Sequence, residues 1–300
     1  MPSAQQAQLL NTEVHLLDSK ENGQRYAISI ALPASYFDEP EQDYPTVYLL
    51  DADLFFGMVT ETARIMHLCG SFPEVIVVGI GYPHDESSFQ QAFKQMRLLR
   101  ARDLTPVKDE NLEKRMSEGF QSDEIATGGG DLFLHFIQDQ LMPFVENQYR
   151  TNASSKTLVG HSFGGLFVLY SLFHKTQLFS NYLAASPSLW HGNQITFDYE
   201  RTYSEKHEDL PVQLYLAAGM LEESPEHGMV SDMVKLAALL QSREYENLTL
   251  FSKVFDECNY CAAVAPEFQN GLQLLLGKEQ QQMEKAEEQP TKVSNERDNH

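Results

Sequence analysis

The chain has 300 residues, 42% of them hydrophobic and 22% charged, enough to bury a full core without disulfides or metal ions. Its 22 Lys and Arg stand against 43 Asp and Glu, a net charge of −21. That balance argues against nucleic acid or an anionic membrane as a partner, since both call for a basic face. Three cysteines, an odd number, do not make a disulfide framework, and no apolar run reaches the length of a bilayer span. The opening MPSAQQAQLL lacks the basic and apolar regions of a signal peptide, so the expectation is a cytoplasmic protein.

The segments TEVHLLDS and QRYAISIALP alternate polar and apolar residues and predict an antiparallel hairpin, its turn marked by Asn22-Gly23. TVYLLD (46–51) is apolar enough for a strand covered on both faces. Helical spacing follows from Phe55 to His67, and VIVVGIGY (75–82) is the next buried strand. Residues 84–127 are polar and too long for a plain connection, and read as a lid-like insertion. A helix through LFLHFIQDQLMPFVENQY follows Gly128-Gly129-Gly130-Asp131, with Pro143 placed to kink it. KTLVGHS is a strand that turns sharply into the helix GGLFVLYSLFHK. The strands within 182–190, 212–219 and 248–255 then alternate with a helix at 231–243 and a closing helix, PEFQNGLQLLLG. This order predicts one α/β domain over 1–277 with a mainly parallel sheet and helices on both faces. Residues 278–300 are almost devoid of apolar side chains and read as a disordered tail.

The chemistry concentrates at Gly160-His161-Ser162-Phe163-Gly164-Gly165. A G-x-S-x-G between strand and helix is the pattern of a nucleophile elbow, where side chains flanking the serine would collide and glycines take their place. A serine nucleophile needs an orienting acid, and Glu222 and Glu223 follow the strand VQLYLAAG, with Glu222 favoured. Oxyanion donors are expected from the Phe163 N–H and from the loop after TVYLL, with Asp53 the candidate and Leu54 its neighbour. Cys258-x-x-Cys261 lacks further ligands for zinc and reads as two small buried thiols. Asp51 and Asp53 read as loop residues, and neither a metal nor a cofactor is expected.

The motifs YLLDADLFF, RARDLTP, GGGDLFLHFI, VGHSFGGLFVLYSLF, AASPSLW, LAAGMLEE and APEFQNGL, in this order over roughly residues 10–277, resemble the Putative esterase branch of the α/β-hydrolases. That branch includes enterobactin-type siderophore esterases and feruloyl-type esterases. The resemblance implies an α/β-hydrolase fold, Ser162 as nucleophile, Glu222 as acid, and a substrate pocket lined by Trp190 and the 84–127 insertion. It also implies a catalytic histidine eleven residues before the glycine of the final Gly-Leu pair. Counting back from Gly271 reaches Tyr260, and no histidine lies between His227 and His300. A phenol, with an ordinary pKa of about 10, is a poor base near neutrality. His161 is expected to point into the protein, which leaves His191 and His227 as other sources of a base. Arg100, Arg102 and Lys108 offer a local basic patch, with Arg102 the substrate-binding candidate. The expected activity is hydrolysis of a small-molecule carboxylic ester through a Ser162 acyl-enzyme, impaired by Tyr260. The alternative is a degenerate hydrolase that binds an ester or acyl ligand without turnover.

Overall fold

The structure, a computed structural model, describes residues 8–84, 88–122 and 124–277. The expected disordered tail at 278–300 lies outside the described residues, as do 85–87 and 123 within the insertion. Strand β1 (Thr12–Asp18) pairs antiparallel with β2 (Arg25–Ala31), and Asp18 and Arg25 close the hairpin as an exposed ion pair. Gly23, at φ 69°, takes the left-handed position in the turn. Strand β3 (Tyr44–Leu50) leads into helix α1 (Ala52–Leu68) through Asp51, itself left-handed at φ 54°. Strand β4 (Ile76–Gly81) is buried at every residue, as its unbroken apolar run requires.

The insertion is helical, which the sequence reading did not anticipate. It forms α2 (Phe89–Asp103) and α3 (Glu110–Phe120). Few of its residues are apolar, but Met96, Ala101, Leu104 and Leu112 reach the core. Its polar residues act as buried ties. Asp103, fully buried, accepts from Tyr26 Oη at 2.8 Å and Tyr82 Oη at 3.0 Å and pairs with Arg102. The helix after the triple glycine is split as Pro143 demands: α4 (Gly130–Phe136) and α5 (Met142–Gln148) flank a π-helical turn at Ile137–Leu141.

Strand β5 (Thr151–His161) and helix α6 (Phe163–His174) form the central strand–turn–helix. Strand β6 (Asn181–Ala185), helix α7 (His191–Ser204), strand β7 (Gln213–Gly219), helix α8 (Met229–Arg243) and strand β8 (Thr249–Phe255) complete the alternation. Helix α9 (Tyr260–Leu276) starts six residues before the expected Pro266, because Asn259 Oδ1 caps it by accepting from Cys261 N and Ala262 N. The sheet order is β1-β2-β4-β3-β5-β6-β7-β8, with β1/β2 and β2/β4 antiparallel and the rest parallel. Helices α4 and α6 pack with one apolar face of the sheet and α1 and α9 with the other. The loops leaving the parallel strands, where such sheets place their sites, gather at one edge. No described helix is long and apolar enough to cross a membrane.

Candidate active site

Ser162 occupies the one-residue turn between β5 and α6, at φ 63° and ψ −117°. Such a backbone is strained for any residue but glycine, at a cost of about 1–3 kcal/mol. A side chain at Gly160 would collide with the backbone of Gly164, and one at Gly165 would come within 2.8 Å of Ala185 O. The glycines therefore permit the turn. Ser162 N donates to Ala185 O at 2.9 Å, and Ser188 N to Ser162 O at 3.1 Å, which fix it from the β6 side. Its Oγ lies 3.2 Å from Ser188 Oγ.

The serine faces a cavity of about 610 Å³ shared with Arg97, Arg100, Phe163, Trp190, Glu222, His227 and Tyr260. Tyr260, the first residue of α9, touches Ser162 through its hydroxyl. Burial raises its phenol above the ordinary value; the Ser162 contact and the Arg100 charge oppose that, while Asp51 and Glu222 add to it. The residue as a whole remains 43% exposed. Phe163 is the first residue of α6, so its N–H has no intrahelical acceptor and is free for an oxyanion.

Of the two glutamates, Glu222 turns inward. Its Oε1 accepts from Gly219 N and Ser186 Oγ, each at 2.7 Å, and its buried Oε2 has no partner. Burial raises its carboxyl above the usual range, against those two donors. Glu223 instead caps α8, accepting from Val230 N and Ser231 N.

Arg102, Asp53, Cys258 and Cys261 depart from expectation. Arg102 lies outside the cavity, because its guanidinium pairs with Asp103 at 2.7 Å and reaches Gln24. Arg100, two residues earlier, enters the cavity instead. It forms a two-pronged bond to Asp51 at 2.7 and 2.8 Å and lies 5.4 Å from the Phe163 ring centre. Asp53 does not line the cavity either. Its carboxylate accepts from Tyr82 N at 3.1 Å and from its own N–H, and burial pushes it up to about 6. Leu54 N is spent on Asp51 O. Cys261 is exposed in the first turn of α9 and lines the cavity mouth, and Cys258 is half-buried, so neither is the buried thiol expected. Among the described residues no group of three or more His, Cys, Asp or Glu is placed to hold a metal ion.

The histidines divide clearly. His161 is buried against the rings of Tyr260, Phe55 and Phe268, and burial pushes it down to about 3. His191 is buried beside Phe163 and donates from Nε2 to Val107 O. His227 packs edge-on against Trp190, 4.5 Å between ring centres, and among the described residues is the one histidine on the wall of this cavity. The sequence reading passed over Arg97, Ser186, Ser188 and Glu267. Ser186 and Ser188 lie in the AASPSLW motif, and Glu267 interrupts the apolar stripe of α9.

The model of the Putative esterase family matches residues 19–254. This chain belongs to that family. It is thus a carboxylic-ester hydrolase with the α/β-hydrolase fold. The esterase is 34% identical to ferri-bacillibactin esterase BesA of Bacillus subtilis, over 83% of this chain and 81% of the relative. It superposes on the BES protein of Bacillus cereus with a TM-score of 0.76 at 27% identity, covering 92% of this chain and 98% of the other. An IroE-like serine hydrolase from Shewanella oneidensis gives 0.73 at 27% identity, over 88% and 80% of the two chains.

Proposed function

We propose that this esterase uses Ser162 as its nucleophile: Oγ attacks the ester carbonyl, the alcohol leaves, and water releases the acyl group from Ser162. The observation that carries the reading is the strained Ser162 backbone, which lifts a hydroxyl into a cavity beside a free helix N-terminal amide. The Phe163 N–H holds the oxyanion, with a second donor from the first turn of α1, at Ala52. Glu222 supplies the acid. Tyr260 stands where the base belongs and accepts the serine proton only as phenolate, so turnover is slow near neutral pH and rises with alkalinity.

For the substrate we propose a siderophore ester. BesA, by its name a ferri-bacillibactin esterase, supports this class. So does the cavity, lined by Trp190 and by Arg97, whose guanidinium rests on the rings of Phe93 and Phe120, a wall suited to an anionic aromatic acyl group. Three unpaired cysteines support a reducing, cytoplasmic location. Tyr260 in place of an imidazole favours a second reading, a protein that holds the ester without turnover. The test is hydrolysis of a siderophore ester and a p-nitrophenyl ester panel by wild type and Ser162→Ala. Cleavage lost in the variant supports the esterase; no cleavage, with a siderophore ester raising the Tm of both, supports the binding protein.

A further inference from the structure

We propose that Glu267, on the inner face of α9, is a protonated carboxylic acid that holds Glu222 in place through Ser186. It is a positioning residue, and this role rests on the reading of Glu222 as the orienting acid. Ser186 Oγ lies 2.7 Å from Glu222 Oε1 and 2.9 Å from Glu267 Oε1. Ser186 and Glu267 are 0% exposed and Glu222 9%. A serine hydroxyl has one proton to donate and two lone pairs to accept with. It satisfies only one of the two carboxyls as donor. The second contact is a hydrogen bond only if the other carboxyl carries a proton and donates to Ser186.

The surroundings decide which one. Glu222 Oε1 already accepts from Gly219 N at 2.7 Å, so it behaves as a carboxylate. Among the described residues Glu267 has no donor besides Ser186. The proton chain therefore runs from the Glu267 O–H to Ser186 Oγ, and from the Ser186 O–H to Glu222 Oε1.

The other groups facing Glu267 agree. His161, on β5, has its Nε2 3.8 Å from Glu267 Oε2, and neither atom is hydrogen-bonded. His161 is held neutral by burial and by Arg100, so it gives Glu267 no charge partner. Tyr215, on β7, donates its hydroxyl to Asn270 and is neutral. Tyr260 and the exposed Cys261 are the other titratable groups on α9, and the Arg100–Asp51 pair is beside Tyr260 and His161. Burial and the nearby Glu222 charge push the Glu267 carboxyl up to about 8. One charge, not two, sits beneath the site near neutral pH. It is Glu222's, fixed with its free Oε2 unspent.

Infrared spectroscopy at pH 7 on wild type, Glu267→Gln and Glu222→Gln tests this directly. The expected result is a buried carboxylic C=O band in wild type that is lost in Glu267→Gln and titrated away near pH 8, and that titrates away at lower pH in Glu222→Gln, where the Glu222 charge is gone. A band that survives Glu267→Gln, or that is absent at every pH in Glu222→Gln, overturns the assignment. Thermal melting gives a second check. The folded protein carries the extra Glu267 proton between about pH 4.5 and 8. Its contribution to stability is present below pH 4.5 and lost as pH rises through 8. The Tm of wild type is expected to fall relative to Glu267→Gln between pH 6.5 and 8.5; parallel curves overturn the proposal. For the positioning role, Glu267→Leu should fold but lose about tenfold in kcat at unchanged KM, with Glu267→Gln recovering most of it. Equal kcat in wild type and Glu267→Leu refutes that role. If no ester is cleaved, the esterase reading and the positioning role fall together, while the band and the melting curves still decide the proton.

Discussion

Tyr260→His is the most informative perturbation of the site. Position 260 opens α9, its side chain meets Ser162, and the Arg100 and Glu222 charges act on it. An imidazole there would accept the serine proton at one nitrogen. Its other N–H would face a ready acceptor, since Glu222 Oε2 is buried without a partner. Leaving such a group unpaired costs about 1–3 kcal/mol, so pairing it also orients the new ring. Losing a triad base costs on the order of 10⁴-fold or more in kcat. Allowing for imperfect geometry, the gain on restoring it is about 10²–10⁴, or roughly 3–5 kcal/mol of transition-state stabilisation. The assay is p-nitrophenyl ester hydrolysis from pH 5 to 10. Wild type, with a phenol raised above its ordinary value, should climb throughout this range. The histidine variant should level off above about pH 6.5, the ordinary imidazole value. In that background Glu222→Gln should lower kcat and Glu223→Gln should not, because Glu223 faces α8. Ser162→Ala should erase the gain. The reasoning is refuted if Tyr260→His leaves kcat within twofold while Ser162→Ala abolishes wild-type activity. His227, on the same cavity wall, would then be the base to test.

Two further outcomes follow from the geometry. Ser162→Gly should abolish cleavage and raise Tm by about 2 °C, because relief of about 1–3 kcal/mol of strain outweighs the flexibility of glycine; an unchanged or lower Tm contradicts a strained nucleophile. Arg100→Leu should destabilise by about 3 kcal/mol in urea unfolding, since it leaves the buried Asp51 charge unpaired, and adding Asp51→Asn should recover much of that loss. Additive losses would show that the two do not act as a pair.

The order of the strands, the elbow at Ser162 and the helix that follows it were legible because each is local, whereas helix α7 was not. Apolar runs mark buried strands and glycines mark the close approach of α6 to β5 and β6, while residue 260 is reached only through the spacing that the family resemblance implies. The choice between Glu222 and Glu223 was not settled locally, since adjacent residues differ only in which one meets Gly219 N and Ser186. The insertion hid its helices because its buried groups are polar. Asp103 accepts from Tyr26 and Tyr82 and Arg100 donates to Asp51, partners distant in sequence. Arg100 and Arg102 exchanged roles for a related reason: residues two apart on a helix point about 200° apart, and only one can face the cavity. Glu267 could be suspected from its place on the stripe of Ala263, Gly271 and Leu275. Its proton depends on Ser186, 81 residues earlier in the chain, and on Glu222 beyond it. Packing α9 against β6 and β7 brings the three together away from water, and that contact exists only in the folded protein.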